Sequence, residues 1–81
     1  MKVRVLFHSY FRDLTGASEH LEELPNQATV ADLVKLLHTK FPMLKPMERS
    51  TLIAVGVDYQ GVDHILQDGD EVSLFPPVQG G

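Results

Sequence analysis

Apolar and mostly polar side chains alternate over the first eight residues of the chain. One set of alternate positions carries only large apolar residues: Val3, Val5 and Phe7. A period of two with β-branched residues predicts a strand with one buried face. Leu6 falls in the other set and is therefore expected to point away from the core.

The segment that follows gives weaker signals. Residues 11–16 show neither a strand nor a helix period and end in a glycine, which predicts a turn or short irregular loop. A second strand is predicted over residues 19–24. Its adjacent Glu22 and Glu23 are typical of a solvated sheet edge, although a basic partner surface could also meet them.

The clearest helix signal begins at Thr29. Thr29 can cap a helix, and Asp32 three positions later completes a capping-box pattern. The apolar residues that follow fall on one helical stripe: Val30, Leu33, Val34, Leu37 and Phe41. Pro42 ends the helix. Residues 42–50 have two prolines and no period, so we predict a connecting loop with room for one helical turn.

The C-terminal half indicates short strands separated by turns. We predict strands over 52–57, 62–65 and 71–75, and turns over 58–61 and 67–70. In the second of these turns, Asp68-Gly69 is the strongest short hairpin signal of the chain.

The order of these elements is strand, strand, helix, strand, short strand, strand. This order favours an α+β domain of the β-grasp, ubiquitin-like type, with a mixed sheet of four to five strands and one main helix packed on one face. The first and last strands are expected to pair in parallel. We assign residues 1–75 to this domain and residues 76–81 to a flexible tail. A scaffold of this kind fixes no function by itself.

Composition narrows the class of protein. The 81 residues suffice for one small domain. The net charge of −4 argues against a nucleic-acid partner, and no apolar run approaches the roughly 20 residues that span a membrane. The sequence has no cysteine, which fits a reducing compartment, so we expect a cytoplasmic protein.

The last eight residues, LFPPVQGG, are typical of a tail that enters another protein. Pro76 and Pro77 cannot donate to a sheet ladder, so the last strand is expected to stop near Phe75. The tail beyond it reaches about 20 Å when extended. Gly80 and Gly81 have no side chain that would obstruct a narrow tunnel. The terminal carboxylate is inert until another enzyme activates it, for example as an acyl-adenylate. A terminus without function is the simpler alternative.

Phe75 is the candidate contact residue for a partner. If Val72 and Leu74 face the helix, alternation turns Phe75 away from the core, on the same side as Leu6. A large exposed aromatic ring is typical of an interface anchor. The alternative is a small cluster in which Phe75 packs on Leu6, and a partner could also cover such a cluster.

The histidines and the turn aspartates are weaker candidates. The four histidines fall on different predicted elements, without paired spacing: His8, His20, His38 and His64. Because the chain also has no cysteine, we expect no metal site. Asp68 and Asp70 are better explained by turn geometry than by acid/base or calcium chemistry.

Five parts of the chain carry a family resemblance: Phe7, Arg12-Asp13-Leu14-Thr15-Gly16, Ala54-Val55, Leu66-Gln67-Asp68-Gly69-Asp70-Glu71-Val72 and Phe75-Pro76-Pro77-Val78-Gln79-Gly80-Gly81. They resemble the small, MoaD-type subunit of molybdopterin synthase, a ubiquitin-like sulfur carrier. The FPPV-x-GG ending is the discriminating part. Gly56 and Ile65 depart from the residues frequent in the family, asparagine and proline, and bear on local turns rather than on the tail.

The resemblance implies a sulfur carrier that is not catalytic alone. An E1-like adenylating enzyme would consume ATP to activate Gly81, and a persulfide would convert it to a thiocarboxylate. The tail, which includes Pro76, Pro77, Val78 and Gly80, would thread into the large subunit of molybdopterin synthase with Gly80 and Gly81 in the lead. The two kinds of subunit would form a heterotetramer. The sulfur would pass to cyclic pyranopterin monophosphate in molybdenum cofactor biosynthesis. The large subunit would supply the catalytic side chains, and the carrier would hold no permanent cofactor and no metal.

Three alternatives share parts of this pattern. A ubiquitin-like protein modifier would join Gly81 to lysines through isopeptide bonds. A thiamine-pathway sulfur carrier would use the same activation chemistry, although such carriers usually lack the Pro-Pro brace. A non-catalytic β-grasp binding module would not need the tail at all.

Overall fold

The sheet is built around two strands from opposite ends of the chain. In the computed structural model, which describes residues 1–77, β1 (Lys2–Phe7) and β5 (Glu71–Phe75) run parallel, with Val5 opposite Val72. The predicted parallel pairing of the first and last strands is therefore confirmed.

Three more strands complete a mixed sheet of five, in the order β2-β1-β5-β3-β4. All three pair antiparallel with their neighbours: β2 (Glu19–Glu23), β3 (Leu52–Val55) and β4 (Asp58–Tyr59). The connecting elements are helical: α1 (Phe11–Thr15), α2 (Val30–Lys40) and a 3₁₀ helix (Pro42–Ser50). Across residues 1–77, no helix is both long enough and apolar enough to cross a membrane.

The helix α2 covers one face of the sheet, as predicted. It begins with the predicted capping box, in which Thr29 Oγ1 accepts from the Asp32 N–H at 3.3 Å and Asp32 Oδ2 accepts from the Thr29 N–H at 2.9 Å. Leu33 and Leu37 are fully buried against the sheet, and each such side chain contributes about 1.5–3 kcal/mol of burial free energy. The core consists of Val3, Val5, Phe7, Phe11, Leu24, Ala28, Val30, Leu33, Leu37, Leu44, Leu66, Val72 and Leu74.

The segment after β1 is helical, so the prediction of a turn or irregular loop over residues 11–16 is wrong. Phe11 is fully buried and anchors the single turn of α1. Gly16 ends the turn with a φ of 74°, and its N–H donates to Arg12 O at 2.8 Å. A helix of one turn is too short to display a hydrophobic period, which is why the pattern does not indicate it.

The connection over residues 42–50 is a nine-residue 3₁₀ helix rather than a loop with one helical turn. Phe41, Leu44 and Met47 contact the core at a spacing of three. The 3₁₀ helix has three residues per turn, so residues three apart lie on the same side. A period of three matches neither the strand period nor the α-helix period, so the sequence pattern appeared irregular.

The hairpin between β3 and β4 turns earlier than predicted. The chain reverses at Gly56, which adopts a φ of 63°, a left-handed conformation that glycine reaches without a side-chain clash. Asp58 and Tyr59 then pair with β3 as a strand. The predictions of a strand up to residue 57 and of a turn over residues 58–61 are therefore wrong.

Residues 62–65 do not form the predicted short strand. Ile65 makes only an isolated bridge. The carbonyl oxygens of Val62 and His64 instead accept hydrogen bonds of 2.9 Å from the first two N–H groups of α2. Helix N-termini leave these N–H groups without partners inside the helix. The segment therefore caps α2 instead of extending the sheet.

A buried carboxylate joins β2 to the end of α2. Glu22 is only 6% exposed, and its carboxylate lies 2.9 Å from Lys40 Nζ and 3.1 Å from His20 Nε2. Burial is the largest single effect and alone would raise the pKa of Glu22, but the hydrogen bonds and charge interactions with Lys40 and His20 together outweigh it and lower that pKa. Glu22 is thus packed against the helix and does not belong to a solvated edge.

Candidate functional site

The predicted tail leaves the domain at the end of the central strand β5. Phe75 is the last residue of β5 and pairs with Leu52 of β3. Pro76 is buried and Pro77 is half-buried. Because proline has no N–H, pairing cannot continue beyond Phe75. Outside the described residues lie three further predicted tail residues: Val78, Gly80 and Gly81.

The two prolines lie against the body of the domain. They and Phe75 line a hollow of about 350 Å³, whose other walls are Ser9, Tyr10, Leu52 and Tyr59. The route from β5 into the tail therefore starts at a defined place on the surface.

Phe75 is half-buried among aromatic rings. Its ring lies nearly parallel to the His8 imidazole, with centroids 4.2 Å apart and planes 13° apart. Tyr59 approaches edge-on, at a centroid distance of 6.4 Å and an interplanar angle of 66°. Aromatic pairs of this kind contribute about 0.5–1.5 kcal/mol beyond area burial. Phe75 therefore packs within the domain on one side and keeps part of its ring accessible.

Leu6 and Phe75 lie on the same face of the sheet, as the alternation predicts. Leu6 is opposite Ser73, and Phe75 is two residues further along β5. This face is turned away from α2, and its apolar end adjoins the tail. Leu6 is half-buried, whereas Leu52 is 43% exposed and Tyr59 is 70% exposed. We call Leu6, Leu52, Tyr59 and Phe75 the tail-root patch.

The other end of the same face is charged. Arg4 forms a hydrogen-bonded ion pair with Glu71, and its guanidinium lies 3.9 Å from Glu19. The hydrogen bond with Glu71 is the main reason why the pKa of Arg4 is raised. These charged groups therefore border the tail-root patch on this side, where Glu19 lies opposite Leu6.

His8, a weak candidate as a metal ligand, lies at this site for a different reason. Its N–H donates to Leu74 O at 3.1 Å, which continues the β1–β5 register and sets residue 8 beside Phe75. The alternation that places Leu6 on the outer face also places His8 there, so the sequence contained the signal. Within residues 1–77, no group of three or more histidine, aspartate or glutamate side chains is placed to hold a metal ion.

A larger cleft lies between α2, the 3₁₀ helix and the β3–β4 hairpin. It encloses about 760 Å³, and its apolar lining includes Val34, Leu44, Ile53 and Val62. At its rim, His38 Nδ1 lies 3.9 Å from a carboxylate oxygen of Glu48. Leu52 and Tyr59 line both this cleft and the hollow at the tail root, so the two concavities adjoin.

The architecture defines a β-grasp protein of the ubiquitin-like class. It combines this strand order with a parallel pair of terminal strands and with helix α2 across one face. The sequence profile of the ThiS family matches residues 5–81. The molybdopterin synthase sulfur carrier subunit of Mycobacterium tuberculosis is 33% identical over 82 residues, covering 100% of this chain and 99% of that relative. The chain belongs to the ThiS family, as a member of its MoaD type.

Solved structures of related proteins share the fold. A Pyrococcus furiosus protein, described as a candidate molybdopterin converting factor subunit 1, is 35% identical with a TM-score of 0.88, over 96% of this chain and 99% of that chain. Small archaeal modifier protein 1 from Methanosarcina acetivorans is 26% identical with a TM-score of 0.83, over 99% and 96%. A Helicobacter pylori structure, 27% identical with a TM-score of 0.73 over 100% of both chains, is a complex of subunits 1 and 2 of molybdopterin-converting factor.

Proposed function

We propose that this chain is the sulfur carrier subunit of a molybdopterin synthase and that Gly81 carries the sulfur as a thiocarboxylate. The observation that carries the proposal is the tail root. The central strand ends at Phe75 and gives way to two prolines beside an exposed apolar patch. The family match that extends to residue 81 and the sulfur-carrier relatives support the same function.

The terminal carboxylate has to be activated because it is ionised at neutral pH and resists nucleophiles. In the first proposed reaction step, on an E1-like enzyme, a carboxylate oxygen of Gly81 attacks the α-phosphate of ATP, and pyrophosphate leaves. A persulfide sulfur then attacks the acyl carbon and AMP leaves. A second thiol cleaves the resulting sulfur–sulfur bond, which releases the thiocarboxylate and a disulfide. The chain contributes the acyl group and needs no permanently bound cofactor.

Transfer then takes place on the large subunit. The tail enters its active site, and the sulfur passes to cyclic pyranopterin monophosphate to build the dithiolene that later binds molybdenum. Gly80 and Gly81 suit a narrow entry because they have no side chains. The catalytic side chains of this step belong to the large subunit, and Pro76 and Pro77 fix where the tail starts.

The tail-root patch is the proposed docking surface for the large subunit. Its apolar residues surround the start of the tail, so one contact surface can both bind the partner and direct the tail into it. The Helicobacter pylori relative, whose two subunits form a complex, supports a partner of this type. We propose a heterotetramer of two carriers and two large subunits, acting in the cytoplasm.

A protein modifier is the second candidate function. The similarity to the Methanosarcina acetivorans modifier protein favours it, at 26% identity over nearly the whole chain. The activation steps would be the same, and the activated Gly81 carbonyl would then form an amide with a lysine amine. Only the acceptor distinguishes the two functions.

The test follows the mass of the intact chain. Incubation with the activating enzyme, ATP and a persulfide donor should replace one oxygen by one sulfur, and the change should map to the C-terminal peptide. Addition of the large subunit and cyclic pyranopterin monophosphate should restore the carboxylate as sulfur appears in the pterin. Accumulation of lysine-linked adducts would favour the modifier. An unchanged mass, with an activating enzyme that is active on a known carrier, would contradict both functions.

A further inference from the structure

His8 is fixed beside the tail root by the backbone. Its N–H is bonded to Leu74 O at 3.1 Å, and its carbonyl accepts from the Phe11 N–H at 3.1 Å. The next residue, Ser9, lines the hollow at the tail root and adopts a φ of 55°. This left-handed conformation is uncommon for residues other than glycine. The turn through Ser9 lets Phe11 enter the core while the His8 ring stays over Phe75.

The Nε2 atom of the His8 ring does not explain the position of the ring. Nε2 is buried and has no hydrogen-bond partner among the described residues. A buried polar atom without a partner costs free energy, so Nε2 does not stabilise the ring in this position. The ring does provide a flat surface, which lies 4.2 Å from Phe75 and within 13° of parallel.

We propose that His8 is a positioning residue that fixes the direction in which the tail leaves the sheet. The inference rests on the proposed function. The Phe75 ring has the His8 imidazole against its face and Tyr59 against it edge-on. Fixing that ring fixes the residue from which the stiff Pro76-Pro77 segment starts.

The direction of Pro76 and Pro77 sets the region of space that the rest of the tail can reach. If that direction is not fixed, a smaller fraction of encounters brings the terminal glycine to a narrow entry on the partner. A tail already directed at its partner loses less orientational freedom on docking, which favours productive encounter. Once the tail is seated, the partner holds the reacting group, so the chemical step should not depend on His8.

The experiment compares three His8 variants and one control variant of the full chain, loaded as the thiocarboxylate, in sulfur transfer to cyclic pyranopterin monophosphate on the large subunit. His8→Phe keeps a flat ring and removes the unpartnered nitrogen. His8→Ala removes the ring, and His8→Asn keeps a polar group without an aromatic surface. His64→Ala removes a histidine remote from the tail root and is the matched control.

We expect His8→Phe and His64→Ala to keep the wild-type KM for the carrier. His8→Ala and His8→Asn should raise that KM about three- to tenfold at unchanged kcat, as expected for a loss of preorganisation. A His8→Phe variant as impaired as His8→Ala would overturn the inference, because the imidazole nitrogen rather than the ring surface would then matter. Wild-type KM values in all variants would overturn it as well.

A second measurement separates this inference from the proposed function. Residual dipolar couplings of the Cα–Hα bonds of Pro76 and Pro77, the first residues beyond the sheet ladder, are recorded on the isolated chain and report the orientation of the tail root relative to the sheet. We expect the couplings of both residues to fit the domain in the wild type and in His8→Phe, and to be averaged in His8→Ala. Identical couplings in His8→Ala would overturn the role of His8 even if sulfur transfer proceeds. A wild-type chain that transfers no sulfur would contradict only the proposed function, because the couplings still test His8.

Discussion

Leu52 lies directly opposite Phe75 at the last paired position of β3 and β5. Leu52 is 43% exposed, whereas Phe75 is half-covered by the rings of His8 and Tyr59. The two side chains therefore lie side by side on the surface, but Phe75 makes contacts within the domain that Leu52 does not share. Leu52 is the better position at which to test the docking surface, because replacing Phe75 would also remove the aromatic contacts.

Leu52→Asp should weaken binding of the large subunit at least tenfold, about 1.4 kcal/mol, because a charge would be buried in an apolar contact. Isothermal titration calorimetry measures the affinity. Val57→Asp is the matched control, since Val57 is 96% exposed at the hairpin turn, at the other end of β3. Equal losses in both variants would contradict a specific role of the tail-root patch. Loss of a cooperative thermal transition in Leu52→Asp would instead assign Leu52 to the domain's own packing.

Deletion of Gly81 should abolish sulfur transfer, because the reacting carbonyl would be displaced by about 3.3 Å. Addition of one residue after Gly81 should have the same effect. The midpoint of thermal unfolding should not change, since the core lies within residues 3–74. Gln79→Ala, which keeps the length of the tail, should retain transfer. Full activity of the deletion variant in a reconstituted assay would rule out the tail mechanism.

Glu22→Gln should lower the free energy of unfolding near neutral pH by about 1–3 kcal/mol, because hydrogen bonds to a charged carboxylate are lost. The pKa of Glu22 is lowered in the folded state, so its contribution is present above the ordinary value of about 4.3 and is lost as the pH falls through the lower folded value. The difference between wild type and variant in urea denaturation should therefore shrink below about pH 4.

Glu23→Gln is the control for this experiment, because Glu23 is the exposed neighbour of Glu22 on the same strand. It should change the free energy of unfolding little at any pH. A difference between wild type and Glu22→Gln that persists unchanged at pH 3 would show that the ionised carboxylate is not the stabilising species.

Thr29→Ala should destabilise the fold by about 1 kcal/mol, since it removes the side-chain acceptor at the start of α2. Thr39→Ala is the matched control within the same helix. The Thr39 hydroxyl only donates back to Lys35 O, at 3.2 Å, so its loss should be neutral or slightly stabilising. Chemical denaturation measures both variants. Equal destabilisation would indicate that threonine as such, and not the cap, supports the helix.

The parts of the fold that could be predicted are those with a local signal. The alternation of Val3, Val5 and Phe7 indicates β1, and the pair Thr29 and Asp32 indicates the start of α2. Gly69, with a φ of 86°, forms the tight turn predicted before β5, but no hairpin forms there because residues 62–65 are not a strand and β5 pairs with β1 and β3. In each case the residues that determine the element are neighbours in the sequence.

Some parts that could not be predicted, α1 and the 3₁₀ helix, are too short or have the wrong period for a sequence signal, and others depend on contacts between distant residues. Two turn signals compete near the β3–β4 hairpin, and the pairing of Tyr59 with Ala54 selects the turn at Gly56. The contact of His8 with Phe75 depends on the parallel register between β1 and β5, across most of the chain. The position of Leu6, His8 and Phe75 on one face could be derived from alternation, whereas the stacking of the His8 ring on the Phe75 ring could not.

The central place of β5 in the sheet bears on how the protein is made. β5 lies between β1 and β3, so neither of its neighbours can complete its hydrogen bonds until residues 71–75 have been synthesised. Folding must then wait until β5 is available, and the long-range pairing makes closure slow compared with a local helix. A chain that stops before residue 71 would lack the centre of the sheet. A folded chain therefore already includes the strand from which Pro76 starts, so a partner that recognises the fold meets only chains with a formed tail root.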